Sequence, residues 1–440
     1  MFDKTIVSLI TPPMMGAIAV IRVSGDEGLE MAQSIFSRKI VEPNRAYFGK
    51  IVNNGNIVDE VVLTYFKAPH SFTGEDVVEI SCHGSMLIAK EIITLFLSMG
   101  ARMAERGEFS SRAYYNNKID LVQAEAINSL INAVTPEQKQ LAIYSLKGET
   151  SSVLRPMIDE LADILSNIEV NIDYPEYMDI EEVTTEKVLT SCHDMKEKIG
   201  SFLNKSKKSQ YVVHGIKVAL VGLPNTGKSS LLNAMLKEEK AIVTDIPGTT
   251  RDIVEGTINL NGLLLNIFDT AGIRESDNVV ERLGIEKSQK SIENADLVIM
   301  VTEANREFCE EEKSLYETIK DKQHIMVYNK ADLLNEKVQD KVYISAQNKQ
   351  IQPLLDAISE KYDLTSNSLS PSLCSAREIA LLTKAYSNLV QAIDEANMGL
   401  SLDLVSVSVK SAYDNLKDIL GLTINVDLSE EIFSRFCVGK

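Results

Sequence analysis

Residues Gly222 to Met235 read GLPNTGKSSLLNAM. Their first eight positions, GLPNTGKS, fit the pattern GxxxxGK[ST], directly after the apolar run IKVALV and directly before LLNAML. A strand that turns through a glycine-containing loop into a helix is the setting in which this pattern cradles phosphate. The stretch Asn225, Thr226, Gly227, Lys228, Ser229 and Ser230 is expected to turn backbone N–H groups toward phosphate oxygens. Lys228 would neutralise phosphate charge before and during its transfer, Ser229 would give Mg²⁺ an oxygen, and the helix N-terminus adds a favourable dipole.

Downstream motifs choose the nucleotide. NKAD, Asn329 to Asp332, follows the apolar run HIMVY. A carboxylate at Asp332 can accept two hydrogen bonds from the N1–H and N2–H₂ edge of guanine, which adenine does not offer, so Asn329, Lys330 and Asp332 select GTP over ATP. DTAG, Asp269 to Gly272, ends the run LLLNIF. There Asp269 can hold Mg²⁺ through water and Gly272 can present an N–H to the γ-phosphate. TDIPGTTRD, Thr244 to Asp252, supplies a second switch segment with Thr250 as a hydroxyl ligand of the metal. After DTAG stands Ile273 rather than a water-orienting glutamine, so hydrolysis must be arranged otherwise. On spacing alone, Asn225 reads equally as a ligand for a monovalent cation, together with carbonyls of the Thr244 to Thr249 loop, or as a solvated loop amide.

Working outward, the alternation of IKVALVG, TINL, LLLNIFD, DLVIMV, HIMVYN and KVYIS with helical stretches implies a mostly parallel sheet covered on both faces. Before it, AIAVIRVSG, IVDEVVLTYF and DVVEISCHG alternate with the helical MLIAKEIITLFLSMG, which predicts a mixed α/β domain. Leu154, Ile158, Leu161, Leu165, Ile168 and Ile172 line one face of a long helix that Pro175 should end. KSKKS, Lys205 to Ser209, and LTSNSLSPS, Leu364 to Ser372, read as linkers. Helical spacing returns at Leu382, Tyr386, Leu389 and Ile393, and again at Val405, Val409, Ala412, Leu416 and Ile419. The expected organisation is therefore α/β plus all-α: an N-terminal α/β domain over 1–117, a helical domain in two halves over 118–210 and 368–440, and a P-loop GTPase domain over 211–367 inserted between them.

At 440 residues the chain should form roughly two to four domains. Its net charge of −18 repels nucleic acid at long range unless a local patch or a partner receives it. Five scattered cysteines without a CxxC pair indicate neither a disulfide framework nor a zinc ribbon and fit a reducing cytoplasm. The N-terminal apolar run carries Asp3 and is cut by Pro12 and Pro13, unlike an export signal, and no later run is long enough to span a membrane.

GLPNTGKSSLLNAM, AIVTDIPGTTRD and DTAGIRESDNVVERLGIEKS together resemble the G domain of the MnmE family, GTPases of transfer-RNA wobble-uridine modification. SFTGEDVVEISCHG, RGEFSSRAYYNNKIDLVQAEAI and the terminal FCVGK extend the resemblance over nearly the whole chain. The resemblance implies a G domain inserted in a helical domain and a homodimer formed through an N-terminal domain that binds 5-formyltetrahydrofolate or a related tetrahydrofolate. It implies K⁺ held by Asn225 and by groups of Thr244, Ile246 and Thr249, and gives Glu281, by itself an ordinary surface carboxylate at a helix start, the task of orienting water. For the folate it nominates Arg22, Glu79, Lys118 and Lys440, cations suiting the folate carboxylates and Glu79 suiting the pterin N–H groups. Cys437 would approach that site and take part in the modification; on the residues alone, a buried structural thiol is as good a reading.

The implied activity is K⁺-stimulated GTP hydrolysis coupled to placing a carboxymethylaminomethyl or aminomethyl group on C5 of the wobble uridine. It would proceed in a heterotetramer with a flavin-containing partner of the MnmG type, and the tRNA would be held mainly by that partner. Some positions depart from the pattern: Met14 and Met15 replace glycine and arginine, CHGS replaces HGG, and SAQ at Ser345 to Gln347 replaces SAK or SAL. A GTPase of ribosome assembly would need an RNA-binding appendage that the sequence does not display. A GTP-controlled scaffold would bind folate without changing tRNA nucleosides.

Overall fold

A computed structural model of the chain describes residues 4–173, 185–238, 256–269, 292–334, 340–362, 369–423, 431–434, 436 and 439. It divides into two compact units, one of residues 1–132, 142–200 and 380–440 and the other of 133–141 and 201–379.

The first unit contains a six-stranded sheet in the order β3-β4-β5-β2-β1-β6: β1 Ile6–Leu9, β2 Ile18–Ser24, β3 Ala46–Asn53, β4 Asn56–Phe66, β5 Val77–His83 and β6 Arg102–Met103. All its pairings are antiparallel except β1 with β6. Helices α1 Gly28–Ile35 and α2 Met86–Ser98 bury Met31, Ala32, Ile35, Ala89, Ile92 and Phe96 against Ile21, Val23, Leu63 and Ile80 of the sheet. One face is therefore apolar and every second strand residue feeds it. After it come α3 Glu108–Tyr115, α4 Leu121–Asn132, α5 Pro136–Leu146 and α6 Glu149–Asp173. The predicted stripe on α6 is real at Leu154, Ile158, Leu161, Leu165 and Ile168, all buried, but ends before Ile172, which is exposed near the helix end. The later stripes lie on α11 Ala376–Asn397 and α12 Leu402–Leu420, and α12 packs on α6 and α4. Pro175 lies outside the described residues.

The second unit holds the other six-stranded sheet, in the order β12-β11-β10-β7-β9-β8. Its strands are β7 Ile216–Val221, β8 Gly256–Leu260, β9 Leu263–Asp269, β10 Leu297–Glu303, β11 His324–Asn329 and β12 Val342–Tyr343. All neighbours run parallel except β8 with β9, which are joined by an Asn261–Gly262 turn with both φ positive. Alternate side chains serve opposite faces. Ile216, Val218 and Leu220 pack with Leu231 and Met235 of α8 Lys228–Glu238 and Leu354 and Ile358 of α10 Gln352–Tyr362. Ala219, Val221, Val298 and Met300 pack with Ile319 of α9 Glu310–Ile319. The sheet thus carries helices on both faces, as its near-continuous apolar strands predict.

KSKKS is not a linker. Lys205 to Ser209 lie within the helix α7 Thr185–His214. Lysine is a good helix former, and Ser206 and Ser209, three apart, turn inward: Ser206 Oγ accepts from the Leu373 N–H at 3.1 Å, and Ser372 Oγ donates to Ser209 Oγ at 2.7 Å. Polar composition therefore disguised a half-buried helix.

Candidate nucleotide site

In a parallel sheet the loops after the strands gather at one edge, and ligands bind there. β7 ends at Val221 and runs through GLPNTG into α8 at Lys228. Two glycines are obligatory. Gly222 has φ +149°, and a Cβ there would stand 2.2 Å from the Val301 carbonyl oxygen; Gly227 has φ +95°, and a Cβ would stand 2.1 Å from Asn329 Nδ2. Asn225, at the exposed crest, is also left-handed with φ +64°. Thr226 is buried, and its hydroxyl donates to the Leu223 carbonyl at 2.9 Å. The Lys228 ammonium, on a residue only 8% exposed, donates to the carbonyl oxygens of Gly222 at 2.8 Å and Leu223 at 2.9 Å. Ser229 and Ser230 are exposed in the first turn of α8. A narrow loop with no room for a side chain at Gly222 or Gly227, capped by a buried ammonium and a helix N-terminus, fits a polyphosphate.

NKAD follows β11, one strand beyond β10. Asn329 ties it to the phosphate loop: Nδ2 donates to the Thr226 carbonyl at 2.9 Å, while Oδ1 accepts from the Ala346 N–H at 3.0 Å. Ser345 Oγ donates to Asp332 Oδ1 at 2.6 Å, which fixes the carboxylate while leaving Oδ2 to receive a base. The departure SAQ thus retains the serine and alanine that do this work and changes only Gln347. Lys330 is left-handed, with φ +62°, and its ammonium pairs with Glu303 at 2.5 Å.

Asp269 closes β9, whose Leu220–Asp269 pairing with β7 brings the start of DTAG beside the strand that feeds the loop. Thr244, Ile246, Thr249, Thr250, Gly272 and Glu281 lie outside the described residues, as do Cys437 and Lys440.

The other predicted set lies in the first unit. Arg22 of β2 and Glu79 of β5 are directly paired across the strands, with Nε to Oε1 at 2.9 Å and Nη2 to Oε1 at 2.8 Å. The Arg22 guanidinium also stands 5.0 Å from the Phe72 ring centroid and 5.4 Å from that of Phe109. Lys118 donates to the Pro69 carbonyl at 2.8 Å. Met14 and Met15 are exposed. His83 joins the buried Asp59 at 2.7 Å, a structural pairing. Burial pushes the thiols of Cys82 and Cys192 up to about 11, which leaves them protonated and unreactive at neutral pH.

The sequence reading missed three charged residues beside NKAD: Glu303, Arg306 and Glu312. Glu312 is fully buried and accepts from Arg306 Nη1 at 2.7 Å, Arg306 Nη2 at 2.9 Å, Thr302 Oγ1 at 2.8 Å and the Cys309 N–H at 3.3 Å. Burial alone would raise its pKa, but these hydrogen bonds outweigh burial and hold it below the usual carboxylate range. A signal existed: Cys309-x-x-Glu312 is a capping box with a thiol where serine or threonine usually stands.

A parallel sheet whose edge joins GLPNTGKS to NKAD defines a P-loop GTPase. The similarities to known proteins narrow this further. Residues 5–118 match the description GTP-binding protein TrmE N-terminus, and residues 121–437 match MnmE helical domain. Proteins called tRNA modification GTPase MnmE are 40% identical in Clostridioides difficile (strain 630) and in Mycoplasmopsis pulmonis (strain UAB CTIP), and 38% identical in Enterococcus faecalis (strain ATCC 700802 / V583). All of this chain is covered in each case, with 99%, 100% and 98% of the respective relatives. The chain belongs to the MnmE family and is a GTP hydrolase. No helix among the described residues is long and apolar enough to cross a membrane.

Proposed function

We propose that this GTPase acts in tRNA modification, coupling K⁺-stimulated GTP hydrolysis to installation of a carboxymethylaminomethyl or aminomethyl group at C5 of the wobble uridine. What carries the reading is the conjunction of a guanine-selective phosphate site with full-length similarity to tRNA modification GTPases. Lys228 leaves its loop carbonyls for phosphate oxygens, anionic and therefore stronger acceptors. Ser229 and Thr250 would hold Mg²⁺, with Asp269 reaching the metal through water. Asn225, exposed and left-handed in the loop, would offer its amide oxygen to K⁺ together with groups of Thr244, Ile246 and Thr249. The family resemblance assigns Glu281 to orient water, the role that Ile273 leaves open.

The domains are proposed as 1–117, 118–210 with 368–440, and 211–367, working as a cytoplasmic homodimer that joins a flavin-dependent MnmG-type partner. The Arg22–Glu79 pair suits a tetrahydrofolate: the guanidinium can meet a carboxylate and Glu79 an N–H edge, with Phe72 and Phe109 as flat neighbours. Lys118, Lys440 and Cys437 complete that assignment. An acidic chain of net charge −18 leaves most of the tRNA contact to the partner. Mass spectrometry of wobble nucleosides from a deletion strain tests the reading. Loss of the 5-substituted uridine, restored by the wild-type chain, is the expected result; an unchanged nucleoside profile would overturn it in favour of a GTP-controlled scaffold.

A further inference from the structure

The Asn329–Asp332 loop is backed by a chain of alternating charges that the nucleotide motifs do not account for. Glu303 is the last residue of β10 and lies in register with Asn329 of β11. The Ala304 N–H donates to the Asn329 carbonyl at 2.7 Å, so the end of β10 and the start of NKAD are locked together. From this position the Glu303 carboxylate takes the Lys330 ammonium at Oε1, 2.5 Å away, while Arg306 Nε approaches its Oε2 at 3.6 Å. Arg306 in turn grips Glu312, whose side chain is wholly buried and whose oxygens are fixed by Thr302 and the Cys309 N–H. The order is therefore Lys330, Glu303, Arg306, Glu312, running from a half-exposed rim to a buried anchor.

A lysine with left-handed backbone leaves the chain in a direction that few L-residues take. Its four-carbon stem is also the most flexible side chain of the motif. Unless the far end is fastened, the stem is free to sweep across the space beside Asp332 where a base must enter. Glu303 fastens it, and the Glu312 anchor keeps Glu303 from following the ammonium outward.

We propose that Glu303 is a positioning residue for the nucleotide: backed by Arg306 and Glu312, it holds Lys330 extended so that the lysine stem forms one wall of the guanine pocket. This rests on the guanine-nucleotide reading of NKAD. A half-exposed pair of this kind contributes modestly, so Glu303→Gln should weaken GDP and GTP binding by the same factor, about twofold to fivefold, mostly through faster release. Arg306→Gln should have a smaller effect in the same direction.

The test is a double-mutant cycle read by fluorescent-GDP binding on the full chain, with nucleotide-free melting temperature as the fold control. Lys330→Met keeps the stem and removes the ammonium. If Glu303 acts through Lys330, Lys330→Met loses the same factor as Glu303→Gln, and the double variant loses no more than either. Wild-type affinity in Glu303→Gln, or losses that multiply in the double variant, would overturn the proposal. Should Glu303→Gln fail to fold, Lys330→Met alone decides: unchanged GDP affinity overturns the fastening role, and the twofold to fivefold loss supports it. A wild-type chain that binds no guanine nucleotide would instead defeat the underlying nucleotide reading.

Discussion

Arg112 and Lys228 are both basic and both buried, but their surroundings differ in kind. The Arg112 side chain has no exposed surface: Nη1 donates to both oxygens of Glu75 at 3.0 and 2.9 Å, and Nη2 to Glu108 and to the Lys4 carbonyl at 2.9 Å each. Glu108 is gripped again by Arg102 at 2.5 and 2.8 Å. In that network each charge meets an opposite charge within the fold. Lys228 is held by carbonyl oxygens of its own loop, neutral groups that a phosphate can displace. A buried cation gripped by carboxylates of its own fold is structural, whereas the Lys228 ammonium donates to loop carbonyl oxygens at the edge of a parallel sheet, acceptors that an anionic phosphate outcompetes.

The largest effect should follow from breaking the first network. Arg112→Ala takes the guanidinium from the part-buried Glu75 and leaves the buried Glu108 to Arg102, a change that costs about 3–5 kcal/mol. Thermal unfolding should show it as a large fall in melting temperature, and a variant as stable as the wild type would mean that the network is dispensable. Next, Lys228→Ala should slow GTP hydrolysis by at least about a hundredfold, since a charge at the developing phosphate charge is lost, while stability changes by only about 1 kcal/mol. Single-turnover hydrolysis beside a melting curve checks both halves; a comparable loss of stability would erase the distinction from Arg112.

The smallest effect is in acid. Burial alone would raise the Glu108 pKa, but hydrogen bonds from Arg102, the Glu105 N–H and Arg112 outweigh burial and hold it low. Because the folded value lies below the unfolded one, its contribution is complete above the ordinary carboxylate value of about 4.3 and is lost as pH falls from there through the folded value. Glu312 behaves alike in the other unit. Acid titration followed by calorimetry should show stability declining below about pH 4.3, and less steeply in Glu108→Gln. An identical acid slope in that variant would show that Glu108 does not contribute to the loss of stability in acid.

What could be read in advance depended on how far apart the cooperating residues are in sequence. The phosphate loop was legible because phosphate geometry fixes the spacing of Gly222, Gly227 and Lys228 within seven residues, and the neighbouring strand and helix confirm the pattern. The parallel strands were legible as continuous apolar runs. β3 was not: AYFGKIVN alternates poorly, and its Gly49 is there because a Cβ would strike the Phe36 ring at 2.6 Å, a constraint from another element. KSKKS was misread because composition stood in for periodicity. Arg22 and Glu79 are 57 residues apart and meet only through strand register, so their residue types alone did not announce a pair. Glu303, Arg306 and Glu312 are close in sequence, but their joint purpose depends on the ends of β10 and β11 lying side by side.

GLPNTGKS and NKAD are proposed to form one guanine-selective site. Hydrolysis of GTP and of xanthosine triphosphate by the wild type and by Asp332→Asn tests it most directly, because xanthine carries an oxygen where guanine carries its N2 amino group and an amide can donate to it. The wild type should strongly prefer GTP, and Asp332→Asn should shift that ratio toward xanthosine triphosphate by roughly a hundredfold or more. An unchanged ratio would contradict it.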